Sequence, residues 1–211
     1  MSHPLLTQLN RRYATKQFDS SKKIPEEQFA LLLESLRMSP SSFGLQWRWF
    51  VVVENTDLRE QLKPYSRDQA QVTDASHLIV LCRRTDMGTD SINKFVAKTA
   101  EVRGIPLESL DEYKKLMLGF VEGKSDEEVA EWLTNQVYIA QWFLLAACAQ
   151  LEIDACPMEW FDPKKYDEIL ALGKDNLASC VVVPVWYRHA DDKHAGLEKV
   201  RFDKDDVVIT R

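Results

Sequence analysis

The amino-acid sequence predicts a single domain over residues 1–211 in which strands and helices alternate, so the class is α/β or α+β. Three observations carry this expectation. "FVVVE" (50–54), "HLIVLCRR" (77–84) and "ASCVVVPVWYR" (178–188) are β-branched runs too short to be helices of the same apolarity, and the first two read as central strands. Segments of helical periodicity separate these runs. No internal repeat, low-complexity tract or shift in composition marks a linker.

In chain order, Phe29, Leu32, Leu33 and Leu36 fall at i, i+3, i+4 and i+7, which predicts a helix over 25–38 with Pro25 suited to its first turn. Residues 56–65 read as helix until Pro64 disfavours it. From about 88 to 122 the chain is helical but polar, punctuated by Gly104, Pro106 and then Gly123, which suggests an excursion away from the core. Ser125 and Glu128 make a capping box, and Val129, Trp132, Leu133, Val137, Ala140 and Leu144 continue at helical spacing to about Leu151. That helix is apolar nearly all round, so it belongs in the core or at a subunit interface. A helix at about 163–172 precedes the third strand, and the tail "EKVRFDKDDVVITR" ends in a short strand-like piece.

At 211 residues, with 45% hydrophobic and 28% charged, the chain has enough apolar material for a sizeable core. A net charge of −6 argues against a nucleic-acid partner or an anionic membrane surface, since both need an excess of basic residues. Any basic cluster should therefore serve a small anion. No stretch approaches the roughly 18 apolar residues of a membrane helix, and residues 1–20 carry charges where a signal segment would be apolar. A soluble, cytoplasmic protein is expected. Cys82, Cys148, Cys156 and Cys180 sit far apart in apolar runs, which reads as buried reduced thiols. The histidines His3, His77, His189 and His194 lack metal spacing, so neither zinc nor a Ser-His-Asp triad is expected.

Two basic pairs stand out: Arg12 with Lys16 in "RRYATKQFD" (11–19), and Lys199 with Arg201 in "EKVRF". In an extended segment residues 199 and 201 share a side, the arrangement a phosphate needs from a strand. A third element is "SPSSFGLQWRWF" (39–50), where small hydroxyl residues and Gly44 allow close backbone approach to a ligand. Gln46 there offers both donors and an acceptor, although an ordinary polar turn would look the same.

"RRYATKQFD", "SPSSFGLQ", "TDASHLIVLC", "AEWLTNQVYIA", "ACPMEWFD", "VVVPVWY" and "EKVRF" occur in an order and spacing that resembles the FMN-dependent nitroreductases, of the oxygen-insensitive NAD(P)H nitroreductase and dihydropteridine reductase type. The resemblance spans nearly the whole chain and is weakest at 88–122. It implies a three-layer α+β fold, with a central, mostly antiparallel sheet flanked by helices. It also implies an intertwined homodimer holding FMN in two clefts built from both chains, with NADH or NADPH as reductant. The family's phosphate-binding residues fall on Arg12, Lys199 and Arg201, with Tyr13 and Ala14 inside the same cofactor motif. Its lysine near the flavin pyrimidine edge falls on Lys16. Its Pro-Ser-Ser loop, reaching over from the other subunit, falls on Pro40, Ser41 and Ser42. Its Pro-x-Glu segment, whose backbone N–H groups face flavin N5 and O4, falls on Pro157, Met158 and Glu159, followed by Trp160. The substrate-facing helices correspond to the excursion, with Leu118 and Phe120 in "KLMLGF" as lining residues.

What the resemblance implies chemically is ping-pong hydride transfer through flavin N5 to nitroaromatics, quinones or related electron-poor small molecules. A cation near N1 and O2 favours the reduced ring, and no dedicated protein acid or base is required. Several positions depart from the family pattern. Ala14 replaces a serine, Asp68 an asparagine, Gln71 a lysine found in some relatives, Trp47 a proline and Trp160 a glycine. Trp160 either turns outward onto Trp47 or Phe161, or narrows the stacking site over the flavin. Two rival readings follow: an FMN-binding protein with little or no turnover because Trp47 and Trp160 fill the substrate cavity, and a dimeric module without flavin whose basic pairs are surface charges.

Overall fold

Residues 3–211 are described by the structure, a computed structural model. Helix α1 (Pro4–Arg11) leads into α2 (Glu26–Met38), strand β1 (Arg48–Val53), α3 (Thr56–Leu62), the single turn α4 (Gln71–Asp74) and strand β2 (His77–Arg84). Helices α5 (Thr89–Arg103), α6 (Asp111–Glu122) and α7 (Asp126–Gln150) follow. Strand β3 (Asp154–Ala155), α8 (Pro163–Ile169), strand β4 (Leu177–Trp186) and the short α9 (Lys204–Val207) complete the chain. The sheet order is β1-β2-β4-β3 and every pair is antiparallel, so of the two classes open from the strand and helix pattern the fold is α+β.

Alternation along the strands builds the layers. Leu78, Val80 and Cys82 of β2 face Leu62 of α3, Val72 of α4 and Tyr166 of α8. Ile79 and Leu81, between them, face Leu32 and Leu36 of α2 and Val137, Ala140 and Leu144 of α7. In β4, Val181, Val183 and Val185 join the second group and Val182 the first. Helices on both faces leave these two central strands no polar side, which is why they read as continuous apolar runs. Each such buried side chain contributes about 1.5–3 kcal/mol. A third cluster, with Trp47, Ile92, Val96, Met117 and Leu133, fastens α5 and α6 to the N-terminal half of α7. The polar excursion thus carries apolar packing of its own.

Helix α7 begins where its capping box demands. The Ser125 hydroxyl accepts the Glu128 N–H at 3.2 Å, and the Glu128 carboxylate accepts the Ser125 N–H at 2.8 Å. Although its inner face is buried, Tyr138, Ile139, Trp142 and Phe143 are exposed on its outer face. No helix of the described residues is long and apolar enough to cross a membrane.

Three expectations are corrected. The run "FVVVE", expected with "HLIVLCRR" to be a central strand, belongs to β1, which among the described residues pairs with β2 alone and so lies at the edge of the sheet. The helix expected to reach 172 stops at Ile169, because Ala171 takes a left-handed conformation (φ 52°) that breaks the α ladder, and a 3-10 turn follows over Leu172–Asp175. The strand-like tail is a helical turn at Lys204–Val207 with irregular chain before it. A strand needs a neighbouring edge for its N–H and C=O groups, and neither sheet edge, β1 or β3, pairs with the tail among the described residues. Val200 and Phe202 are consequently 87% and 83% exposed.

Candidate functional site

Helix α1 ends at Arg11 because the Arg12 backbone is extended (φ −73°, ψ 140°), and the chain then runs beside the short edge strand β3. Ala14 bridges Ala155 in parallel, and the Thr15 N–H donates to the Ala155 carbonyl at 3.3 Å. Further along, Phe18 bridges Arg188. The buried Asp192 carboxylate fastens this segment from the other side, accepting the N–H groups of Lys16 (2.8 Å) and Gln17 (3.0 Å) on one oxygen and of His194 (2.9 Å) on the other.

Burial works to raise the Asp192 pKa, but the three backbone donors outweigh it and hold the carboxyl well below the usual carboxylate range. For a depressed acid, the stabilisation is complete above the unfolded pKa of about 4 and is lost as pH falls towards the folded value. Asp192→Asn removes that dependence. The drop in urea midpoint between pH 6 and pH 3 is therefore expected to be smaller in the variant than in the wild type. Parallel acid profiles would assign the acid sensitivity to other groups.

Above this edge lies a cavity of about 570 Å³ whose lining includes Arg12, Tyr13, Ala14, Lys16, Lys199 and Arg201. The Lys199 ammonium donates to the Arg12 carbonyl. Among the described residues Arg12, Lys199 and Arg201 meet no carboxylate at ion-pair distance. The result is mutual repulsion in a partly dry site. Burial and then Arg201 lower the Arg12 pKa, while burial and then Arg12, Arg201 and Arg188 lower that of Lys199. A bound anion would relieve all three. Arg188, on the same wall, is instead neutralised by the buried Asp154 and lies over the Tyr13 ring at 4.6 Å. Arg11 reaches the same carboxylate at 3.8 Å.

Lys16 also lines a second cavity, of about 320 Å³, together with Gln69, Gln141, Cys156 and the stretch Pro157–Trp160. Met158 exchanges hydrogen bonds with Val182, N–H to carbonyl at 2.8 Å and the reverse at 3.1 Å, which presses this stretch against β4. The next two N–H groups, of Glu159 and Trp160, donate to no protein acceptor among the described residues. The Glu159 side chain is held by the Tyr138 hydroxyl at 2.7 Å. Burial, and then Glu159, push the Tyr138 pKa up to about 12, so it remains a donor at neutral pH.

The remaining expected site residues lie elsewhere in this chain. Gln71 is buried behind the second cavity with its amide 3.9 Å from the Cys156 sulfur. Asp68 is exposed in a left-handed conformation (φ 54°) and lines neither cavity. In the loop after α2, the Ser41 hydroxyl accepts the Gln46 N–H at 2.9 Å and the Ser42 N–H donates to Gln136 at 2.8 Å. Pro40, Ser41 and Ser42 touch neither cavity. Leu118 lines a separate space of about 570 Å³ with Arg83, Lys124 and Leu133. Phe120 packs edge-on against Phe43 (5.1 Å) and Trp132 (5.0 Å).

Both departing tryptophans have resolved positions. Trp47 is buried in the third cluster, 5.8 Å from Trp49. Trp160 avoids positive φ and turns outward, 68% exposed, but its ring lies under the Arg67 guanidinium at 4.3 Å rather than on Trp47 or Phe161. Phe161 packs on Tyr166 at 4.8 Å. Sequence reasoning missed Asp154, Asp192 and Arg188, which frame the basic cavity. Asp154, set between Ile153 and Ala155, carried one usable signal: a carboxylate in an apolar strand is buried only with a partner.

Comparison with known proteins gives concordant matches. The family described as "Nitroreductase family" matches residues 9–185. A protein of Staphylococcus haemolyticus (strain JCSC1435), named for an inferred NAD(P)H nitroreductase activity, is 37% identical over 218 residues, covering 99% of this chain and 97% of that one. A similarly named protein of Bacillus subtilis (strain 168) is 33% identical over 217 residues, covering 97% and 96%. The crystal structure of an Exiguobacterium sibiricum protein, described as a nitroreductase in complex with FMN, shares the fold at a TM-score of 0.83 and 19% identity, covering 100% of this chain and 99% of that one.

Proposed function

This chain belongs to the nitroreductase family, and from that premise we propose that it is an NAD(P)H-dependent FMN oxidoreductase, a homodimer acting on nitroaromatics, quinones or related electron-poor small molecules. One observation carries the reading. Among the described residues Arg12, Lys199 and Arg201 share a cavity without a carboxylate partner, and Lys16 joins that cavity to a second one with two free backbone N–H groups on its wall.

These residues fit FMN. Arg12, Lys199 and Arg201 would hold the 5′-phosphate, Lys16 the pyrimidine edge, and the Glu159 and Trp160 N–H groups the ring. When bound, FMN supplies the hydride acceptor and donor. Lys16 then acts as a fixed cation that favours negative charge on the ring. The Tyr138 hydrogen bond ties the Glu159 side chain to α7, while that residue's N–H stays available to the cavity. Met158, paired with Val182, keeps the stretch from yielding.

Dimerisation accords with the exposed apolar surface. Tyr138, Ile139, Trp142 and Phe143 of α7, and Val200, Phe202 and Ile209 of the tail, are large and uncovered. The tail carries Lys199 and Arg201, so a second subunit covering it would order two of the three phosphate-site cations. Pro40–Ser42, Leu118 and Phe120 stand apart from both cavities of their own chain, which fits service in the partner's site. A cytoplasmic location follows from the need for NADH or NADPH.

The alternative of a flavin protein without turnover asked Trp47 and Trp160 to fill the cavity. The burial of Trp47 elsewhere and the outward turn of Trp160 both weigh against it. Purified protein is expected to be yellow, to bleach anaerobically with NADH or NADPH, to recolour with a nitroaromatic or quinone, and to sediment as a dimer. Failure to take up FMN would overturn the assignment. Bound FMN that no pyridine nucleotide reduces would restore the non-turnover alternative.

A further inference from the structure

We propose that Arg67, held over the indole of Trp160 at the mouth of the Pro157–Trp160 cavity, selects aromatic acceptors that carry a carboxylate. The proposal rests on the enzyme reading above and concerns which acceptor that enzyme prefers.

The indole is the starting point. Trp160 lines the second cavity yet is 68% exposed, so one part of the residue faces the site and the rest forms its rim. The Arg67 guanidinium lies 4.3 Å above that ring. Stacking engages the flat face of a guanidinium and leaves its N–H edge free, and that edge matches the two oxygens of a carboxylate. Among the described residues Arg67 has no carboxylate partner of its own. A cation held in one place, and without a counter-ion, therefore borders the site.

The surrounding loop keeps it there. Arg67 and Asp68 are successive residues in the left-handed region (φ 55° and 54°), a conformation uncommon for side chains of this kind. Bonds across the loop hold that shape: the Asp68 N–H donates to the Lys63 carbonyl at 3.1 Å and the Gln69 N–H to the Ser66 carbonyl at 3.2 Å. The Asp162 N–H donates to the Tyr65 carbonyl at 2.8 Å, which ties the loop to the stretch that carries Trp160. Gln69, two residues after Arg67, lines the cavity itself. The charges facing the mouth are Lys16, Glu159 and Arg67. Two cations against one carboxylate leave the balance towards an incoming anion positive.

The test compares 4-nitrobenzoate with its neutral isostere 4-nitrobenzamide on the holoprotein. Binding is read first on the oxidised protein without reductant, from changes in tryptophan fluorescence and flavin absorbance. Wild type is expected to bind the carboxylate about tenfold more tightly than the amide, the size of one charge-assisted hydrogen bond. Arg67→Gln should erase that ratio while leaving amide binding and FMN affinity unchanged, and Arg67→Lys should keep part of it. The same ratios should appear in kcat/KM with either reductant. A wild type that does not discriminate, or an Arg67→Gln that discriminates equally well, would overturn the proposal. So would a variant that alters the NADPH to NADH ratio instead, because the charge would then serve the reductant. Discrimination in binding with no turnover at all would sink the enzyme reading and leave the role of Arg67 standing.

Discussion

Asp154→Ala is expected to lower the unfolding free energy by about 2–4 kcal/mol, somewhat less than a fully buried pair would lose because Arg188 and Arg11 keep some water. The Asp154 side chain is only 3% exposed and neutralises Arg188 while lying 3.8 Å from Arg11. It also accepts the Arg188 backbone N–H at 2.8 Å. Removing it leaves two guanidinium groups facing each other beneath a cavity that already gathers Arg12, Lys199 and Arg201. Urea unfolding at neutral pH measures the loss, and Asp154→Asn should fall between the two because it keeps an acceptor. A change below about 1 kcal/mol would mean that water replaces the carboxylate, as at surface ion pairs.

Arg12→Ala and Arg201→Ala are each expected to weaken FMN binding by about 1.5–3 kcal/mol, which is about tenfold to just over a hundredfold in Kd. The two variants should differ in kind. Arg12 is half-buried just after α1, and the carbonyl that accepts from Lys199 is main chain and survives the substitution, so Arg12→Ala removes only the guanidinium. Arg201 sits on the exposed tail, where among the described residues its guanidinium bonds only the neighbouring Val200 carbonyl. Its effect should therefore grow with protein concentration if a second subunit orders the tail. Titration of apoprotein with FMN at two protein concentrations separates these cases. Unchanged affinity in both variants would remove the phosphate assignment.

Much of the architecture could be read from local signals. β2 runs over His77–Arg84, as its β-branched composition predicts, and α7 starts at the Ser125–Glu128 box. Such signals work because a strand's two faces and a helix's first turn are set within a few residues. The basic pairs were also visible, and Arg12, Lys16, Lys199 and Arg201 do line one cavity. What the tail would do was not legible, because a strand is defined by its neighbour and residues 197–211 have none among the described residues.

By itself, then, the sequence determined the order of the main elements, the apolar character of the strands and the cations available to hold an anion. Each of these depends on side-chain type and spacing over short distances. The tertiary structure alone decided which groups frame and finish the site. Lys16 and Asp192 are 176 residues apart in the chain, Arg188 and Asp154 are separated by 34, and Arg67 meets Trp160 only because two loops are tied together. Nothing periodic announces such pairs. A buried carboxylate takes whichever donors the fold brings within about 3 Å, and an exposed indole takes whichever cation the neighbouring loop presents.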